Sequence, residues 1–595
     1  MEYLVYLIDS RINFTNYPLL FIYKALGMSY IDWIVLFLTL LVIIVYGTYI
    51  GRGQKDARSY LMADKQLPWY VVMLGVMATQ ASAITFLSAP GQAYTDGMRF
   101  VQYYFGLPLA MIVISITFIP IFQRLNVYTA YEYLEQRFNR RTRVLTSFLF
   151  LLSRGLSTGI SIYAPSIILS TVLGWNIYLT NIVTGGLLLI YTYTGGAKAV
   201  AHTQKLQFVI ILGTMAFAGY LLVTNMPNGI SFDDALYLAG KSGKLNVITT
   251  DFDLNDKYNI WSGVIGGFFL ALSYFGTDQS QVGRYIAAKN TKTARIGLLL
   301  NGLVKIPMQF GILLIGALLF AFFALKPAPV YFNERSFELL EDRYPEEAAD
   351  LTQEHNRLQQ EQMAISMELL NLRKTESAVI DQPLADYKAV QQEIKDLHNQ
   401  VETTINERKI SYEKTDTNYI FLYFVKNTLP VGMIGLLFAV IFLASWGSIS
   451  AALNSLASSS LKDIHLLFDK TEHDGKQQLL YGRLHTLFWA VFSIGVAMFA
   501  TQMGSLIEAV NILGSLFYGP ILGIFLVAFY FKRVQGNIVF IAAILAELSV
   551  IIIYNLDLIS FLWLNVIGAA AVYIFSIFGL IINKVIDRKK PSNLT

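Results

Sequence analysis

Stretches of about twenty consecutive apolar residues, the length that crosses the hydrocarbon core of a bilayer, recur along nearly the whole of this chain. Hydrocarbon holds no water to satisfy free backbone carbonyls, so such stretches read as spanning helices. The expected fold class is an all-α polytopic membrane protein with about thirteen transmembrane helices, and the lipid bilayer is its first partner. Composition agrees, with 55% of 595 residues hydrophobic and only 14% charged. A net charge of +4 is too small to suggest a nucleic-acid partner. The basic residues gather in short loops, as positive-inside topology requires. There is no cysteine, which removes disulfides, Cys-ligated zinc, iron–sulfur clusters and thiol nucleophiles. The six histidines form no HxxxH ligand pair, and no constellation of nucleophile, base and metal ligands suggests an enzyme.

Residues 1–28 mix aromatic and polar side chains and read as an external interfacial segment; no basic residue precedes their first apolar run, unlike a cleaved secretory signal. After a span at 32–50, Arg52, Lys55, Arg58 and Lys65 mark a cytoplasmic loop and set the N-terminus outside. Further spans at 70–94, 100–122, 144–172, 175–193, 205–225, 261–286, 296–325, 429–460, 480–502, 505–531, 537–555 and 558–584 alternate from there. QRLNVYTAYEYLEQRFNRRTR and TGGAKAVAHTQK are cytoplasmic connections, and the tail at 585–595 is cytoplasmic. The expected location is the plasma membrane, or the inner membrane of a bacterium.

Residues 327–418 break this pattern, being hydrophilic and dense in Glu, Gln and Lys. Leu351, Leu358, Ile365 and Leu372 recur at heptad spacing, and Tyr387, Val390, Ile394, Leu397 and Val401 recur at three and four. The spacing predicts an extracytoplasmic hairpin of two antiparallel helices joined near Pro383. It serves either as a docking surface for a protein partner or another copy of the chain, or as a solvated insertion.

Within the spans, Met77–Tyr94 (MATQASAITFLSAPGQAY) is crowded with small and polar residues and carries Pro90 and Gly91. Such a segment either unwinds to line an ion or solute site or lets neighbouring helices approach closely. Residues 443–460, LASWGSISAALNSLASSS, repeat the signature. Sodium takes about five or six oxygens, and unwound carbonyls with hydroxyls supply them. YFGTDQSQVGRYIAAKN brings Asp278, Arg284 and Lys289 to the end of a span, with Asp278 and Arg284 as a possible gate or ion pair. Arg154 offers a cation to a carboxylate; alternatively it is a buried partner of Asp278 or Glu508, or snorkels to the interface.

SAITFL followed by GQAY, TAYEYLEQRF, TGGAKAVAHTQKLQ, YFGTDQSQVGRYIAAK, LNS in the Ser-rich span, and GPILGIF followed by FKR resemble, in this order, the sodium/solute symporters. That family includes the sodium–glucose, sodium–proline, sodium–iodide and sodium–vitamin carriers. The resemblance implies a leucine-transporter-type core of two inverted five-helix repeats, at 70–225 and 261–531, the second interrupted by the hairpin. One extra helix at 32–50 would precede the core and two at 537–584 would follow it. It implies alternating access around a midplane site, with sodium as the co-transported ion.

Carried over by position, the sodium ligands would be the carbonyls of Ala78, Ala81 and Ala444 and the hydroxyl of Ser448. Where the family has a second adjacent hydroxyl this chain has Gly447, and where many members have Trp-Thr-Asp it has His202, Thr203 and Gln204. Ser450 remains for a second ion site but Ala451 does not contribute, so one sodium per cycle is expected. At two sugar-binding positions Tyr104 and Ala271 replace hydrogen-bonding residues, while Thr85, Lys305 and Asn511 remain polar. Tyr274 and Phe275 resemble the aromatic pair that closes over solute. The expected cargo is a small monocarboxylate- or vitamin-like anion, with a sugar or sugar derivative as the alternative. A channel, or a membrane-embedded solute sensor signalling through the hairpin, is the reading from another class.

Overall fold

The computed structural model describes residues 28–50, 67–125, 127–375, 381–411, 413–469 and 474–589. The interfacial segment before Met28, the basic loop at 51–65 and the tail from 590 onward lie outside the described residues. Among those described, regular structure is helical, apart from an isolated parallel bridge between Leu67 and Ala288.

Helix α1 (Tyr30–Ile50) precedes a bent pair, α2 (Trp69–Gln80) and α3 (Ala83–Asp96). Next come α4 (Leu107–Ile116) and α5 (Phe118–Leu125), which share one span, then α6 (Arg140–Leu173) and α7 (Ile177–Thr224). The chain continues through α8 (Gly267–Thr277), α9 (Gln279–Ile286) and α10 (Thr291–Leu325) into a hydrophilic pair, α11 (Pro345–Lys374) and α12 (Asp381–Glu407). Five further helices close the fold: α13 (Met433–Ser459), α14 (Gly475–Ala497), α15 (Leu506–Tyr530), α16 (Gly536–Asn555) and α17 (Phe561–Lys589).

Among the described residues ten helices are long and apolar enough to cross a membrane, and the bent pair supplies an eleventh span. Two shorter apolar stretches, Ile177–Tyr193 and Ser262–Thr277, bring the segments to the expected thirteen. The first belongs to α7, whose 48 residues would measure about 72 Å if straight. It is not straight: the Tyr191 hydroxyl lies 2.7 Å from Thr203 Oγ1. Twelve residues of straight helix would separate them by about 18 Å along the axis, so the helix is sharply bent between them, where the sequence puts its TGGAKAVAHTQK turn.

Burial orders the helices. The most apolar eighteen-residue window of Met433–Phe468 has 94% of its residues buried, whereas the corresponding windows of α1, α14 and α17 are 22–28% buried. The outer helices present Ile34, Phe37, Leu484, Phe488, Ile574 and Phe578 outward. A soluble protein would not leave such a surface in water; lipid covers it. α13 is therefore the central post, and its small residues, from Ala444 to Ser459, let other helices close on it.

The bend between α2 and α3 is 57°. Ala81 (ψ 76°) and Ser82 (ψ 173°) leave the helical region, and the ladder fails there. Ser82 N–H, which would bond Ala78 O in a continuing helix, bonds Gln80 O at 3.0 Å. Thr85 N–H, which would bond Ala81 O, bonds Ser82 O at 3.0 Å. Pro90 lies inside α3, and two glycines let other segments press against the helix. A Cβ at Gly316 would fall 2.1 Å from Pro90 O, and one at Gly91 2.0 Å from Thr417 O.

The hydrophilic insertion is a helical pair, as its heptads predict. Leu351 and Leu358 share a small core with Leu397, Val401 and Ile405. Ile365 and Leu372 are only half-buried, and Leu369, Leu370 and Tyr387 instead join the main core. The reason is that the hairpin lies down on its own chain rather than standing free. Gln359 Nε2 donates to Phe323 O at 2.8 Å, Gln391 Nε2 to Ser242 Oγ at 2.8 Å, and Arg373 meets Asp234 at 3.1 Å. Pro383 stands near the join, in the first described turn of α12, a position that tolerates a missing N–H.

Candidate functional site

Two of the four carbonyl and hydroxyl groups assigned to sodium by resemblance are adjacent. Ser448 Oγ donates to Ala444 O at 2.9 Å and approaches Ser445 O at 3.2 Å, one turn apart on α13. The other two, Ala78 O and Ala81 O, are the carbonyls that the break releases from the helical ladder. Loose carbonyls on a broken helix, beside a hydroxyl on the neighbouring helix, are hard oxygen donors suited to sodium and short of anionic charge. Among the described residues no group of three His, Asp or Glu side chains offers a transition-metal or calcium alternative.

The structure gives a physical reason for Gly447. A Cβ there would lie 2.8 Å from Gln207 Oε1 and 3.3 Å from Gln204 Cγ, so glutamines from α7 occupy the volume of the absent hydroxyl. Gln204 Nε2 donates to Gly447 O at 2.8 Å and reaches Thr79 Oγ1 at 3.4 Å. An amide thus ties α2, α7 and α13 together where the resemblance leads one to look for an acid.

A cavity of about 100 Å³ opens at the break, walled by Thr79, Gln80, Ser82 and Thr85 on one side and by Ser448 on α13. Its other walls include Tyr104, Arg154, Tyr274, Asn511 and Tyr518. Of the predicted solute residues, then, Thr85, Tyr104, Arg154, Tyr274 and Asn511 come together. Phe275 does not line the cavity; fully buried, it packs edge-on against Tyr274 with ring centroids 4.9 Å apart. Lys305 stands one layer back, its Nζ 5.5 Å from the Tyr104 ring centre. Asn511 is held by Ile507 O at 2.8 Å and accepts from the Tyr103 hydroxyl at 3.3 Å.

Arg154 is a buried partner of Asp278, one of its two structural alternatives. Its Nε lies 3.8 Å from Asp278 Oδ2, its Nη2 donates to Ser280 Oγ, and Tyr274 stands beside it at 3.4 Å. Asp278 in turn accepts from Ser280 N at 2.8 Å, Ser280 Oγ at 2.6 Å and the Tyr518 hydroxyl at 3.1 Å. The expected pairing of Asp278 with Arg284 is absent among the described residues. Asp278 caps α9; six residues on, Arg284 is turned about 240° around the helix axis and points toward Gly75 on α2, its Cδ 3.8 Å from where a Cβ would sit.

Sequence reasoning missed two networks. At the hairpin end, Ser505 Oγ donates to Gln92 Oε1 at 2.8 Å, and Glu508 accepts from Tyr258 at 3.1 Å and pairs with Lys257 at 3.0 Å, linking α3 to α15. At the other end, Asp463, fully buried just past α13, is bound by Arg143 at 2.7 Å and Thr129 at 2.7 Å. Both join residues hundreds of positions apart, which no local pattern reveals; the only sequence signal is an acid inside an otherwise apolar stretch.

A many-helix membrane fold around one broken span, with loose oxygens and a cavity carrying hydroxyls, amides and an arginine at the break, is the construction of a secondary transporter. The chain belongs to the sodium:solute symporter family, whose model matches residues 60–334 and 397–552 and omits most of the hairpin. It is 33% identical over 275 residues to the human sodium/iodide cotransporter, covering 45% of this chain and 42% of that protein. It is 34% identical over 276 residues to sodium-coupled monocarboxylate transporter 1 of Xenopus laevis, covering 45% and 43%. The matched segments thus span less than half the length of these relatives. The solved substrate-bound, outward-open structure of a Na+-coupled sialic acid symporter shares the fold, with TM-score 0.70 at 23% identity over 92% of this chain and 97% of that one.

Proposed function

We propose that this chain is a sodium-coupled secondary active symporter that imports a small organic anion by alternating access, with one sodium per cycle. The observation that carries the reading is the single cavity shared by the α2–α3 break and Ser448 on one side and by Arg154, Tyr274 and Asn511 on the other. In such a low-dielectric space a cation and an anion stabilise each other, so that each raises the affinity for its companion. Sodium is held by the Ala78, Ala81 and Ala444 carbonyls and Ser448 Oγ; the solute is held by Thr85, Tyr104, Arg154, Tyr274 and Asn511. The relatives support the charge of the cargo, since iodide and monocarboxylates are anions and sialic acid is a carboxylic acid.

The repeats at 70–225 and 261–531 rock against each other, with the N-terminus and the hairpin outside and the C-terminus in the cytoplasm. The hairpin's contacts are with this chain's own helices, which favours an insertion over a docking surface. The test is uptake into proteoliposomes of a radiolabelled anion panel (iodide, lactate, nicotinate and N-acetylneuraminate) with an inward sodium gradient. At least one anion accumulates above its external concentration with sodium and none does when potassium replaces it; downhill equilibration alone, or equal uptake in potassium, overturns the proposal.

A further inference from the structure

We infer that Arg284 holds a small monovalent anion of the chloride class, on the side of the cavity away from the hairpin, as the counter-ion that Gln204 does not supply. This site is separate from the one that takes the solute. Among the described residues three arginines are buried, and two of them are matched by acids: Arg143 by Asp463 at 2.7 Å and Glu135 at 2.7 Å, and Arg154 by Asp278 at 3.8 Å. Arg284 on α9 is the exception. It is 8% exposed and has no hydrogen bond and no ion pair among the described residues. Its polar neighbour is Tyr191 on α7, whose hydroxyl is already engaged with Thr203 at 2.7 Å.

The location follows from α2. A Cβ at Gly75 would lie 3.8 Å from Arg284 Cδ and 3.7 Å from Gln204 Oε1, so the two side chains converge on one point of the helix, where glycine adds no bulk. Gly75 is one turn from Thr79, whose hydroxyl donates to Gly75 O at 2.7 Å and which walls the cavity. Gln204 turns its Nε2 to Gly447 O at 2.8 Å, and its Oε1 has no partner among the described residues. An acid at this position would face the guanidinium; the amide brings no charge to match it.

A guanidinium taken out of water without a counter-ion is costly, and the described residues provide none. It is not sealed in, since its nitrogens are not among the fully enclosed polar atoms that lack partners, and an ion can reach it. Its planar fork of N–H donors binds an anion through charge-assisted hydrogen bonds. One positive charge calls for one negative charge, and so small an exposure admits an ion the size of chloride or nitrate and excludes a bulky one.

The experiment measures the melting temperature of the purified full-length carrier, without solute, at fixed sodium concentration and ionic strength, as gluconate is replaced stepwise by chloride or by nitrate. An ion that binds only the folded protein raises the melting temperature along a saturating curve, and the wild type shows that rise. In Arg284→Gln, which removes the charge, the rise is lost. Gln204→Glu keeps Arg284 and is nearly isosteric, but it supplies a carboxylate beside the guanidinium, so the rise is lost there too. Each protein is compared with itself in gluconate, which separates the anion effect from any change in baseline stability, and a general salt effect would persist in both variants. Equal melting in gluconate and chloride for the wild type, or a chloride-dependent rise that survives in either variant, overturns the inference. Because no solute is present, these results leave the reading of the cargo as an anion standing.

Discussion

Asp278 shows what a single residue can and cannot disclose from sequence. An acid at the edge of an apolar span had to have a partner, and both Arg154 and Arg284 were available in the chain. The choice was made by the turn of α9, which aims the carboxylate at α6 and α15. Removing one charge of a buried pair strands the other, at a penalty of about 3–5 kcal/mol. Asp278→Asn and Arg154→Gln should therefore each lower the melting temperature of the purified carrier sharply, and the double variant should lose less than the two together; additive losses would show that the two do not act as a pair. Gly447 was legible as a departure from the family, but its cause, Gln207 and Gln204 filling the space, needed the third dimension.

Among the elements, the broken span was the most readable. Small residues, hydroxyls and Pro90 within one apolar run announced a helix able to come apart, and the break falls at Ala81 and Ser82. The bend at TGGAKAVAHTQK was readable too, although the backbone stays helical through it. Less legible was how the hairpin attaches, since its heptads specify only the contact between α11 and α12. One attachment is titratable. His398 on α12 lies 3.2 Å from the buried carboxylate of Asp416. Burial disfavours its imidazolium, but Asp416 outweighs burial and pushes the pKa up to about 9. A pKa raised in the folded state gives stability that is complete below the unfolded value, about 6.5, and is lost as pH rises through about 9. Hydrogen exchange in 381–411 should accelerate between pH 7 and 10 beyond its intrinsic pH dependence, and His398→Gln should abolish that excess; the same excess in the variant would assign it to another group.

At the scale of the whole molecule, the thirteen segments and the interruption at 327–418 followed from hydropathy alone, because hydrocarbon thickness sets helix length. Which helices surround the site did not, since that depends on packing around α13. Sidedness came from loop charge, and the absence of cysteine makes it simple to test. A single cysteine at the exposed Lys395 should react with a membrane-impermeant maleimide in intact cells, and reaction only after permeabilisation would invert the topology.

The coupling of ion to solute is tested most directly by uptake measured against sodium concentration in the wild type and in Ser448→Ala. The substitution removes one oxygen beside the broken helix and little volume. With Gly447 supplying no second hydroxyl, its loss should raise the half-saturating sodium concentration by roughly tenfold to a hundredfold, the equivalent of about 1–3 kcal/mol, while protein yield and monodispersity stay unchanged. A sodium curve in Ser448→Ala that superimposes on the wild type would contradict the placement of the driving ion between α2 and α13.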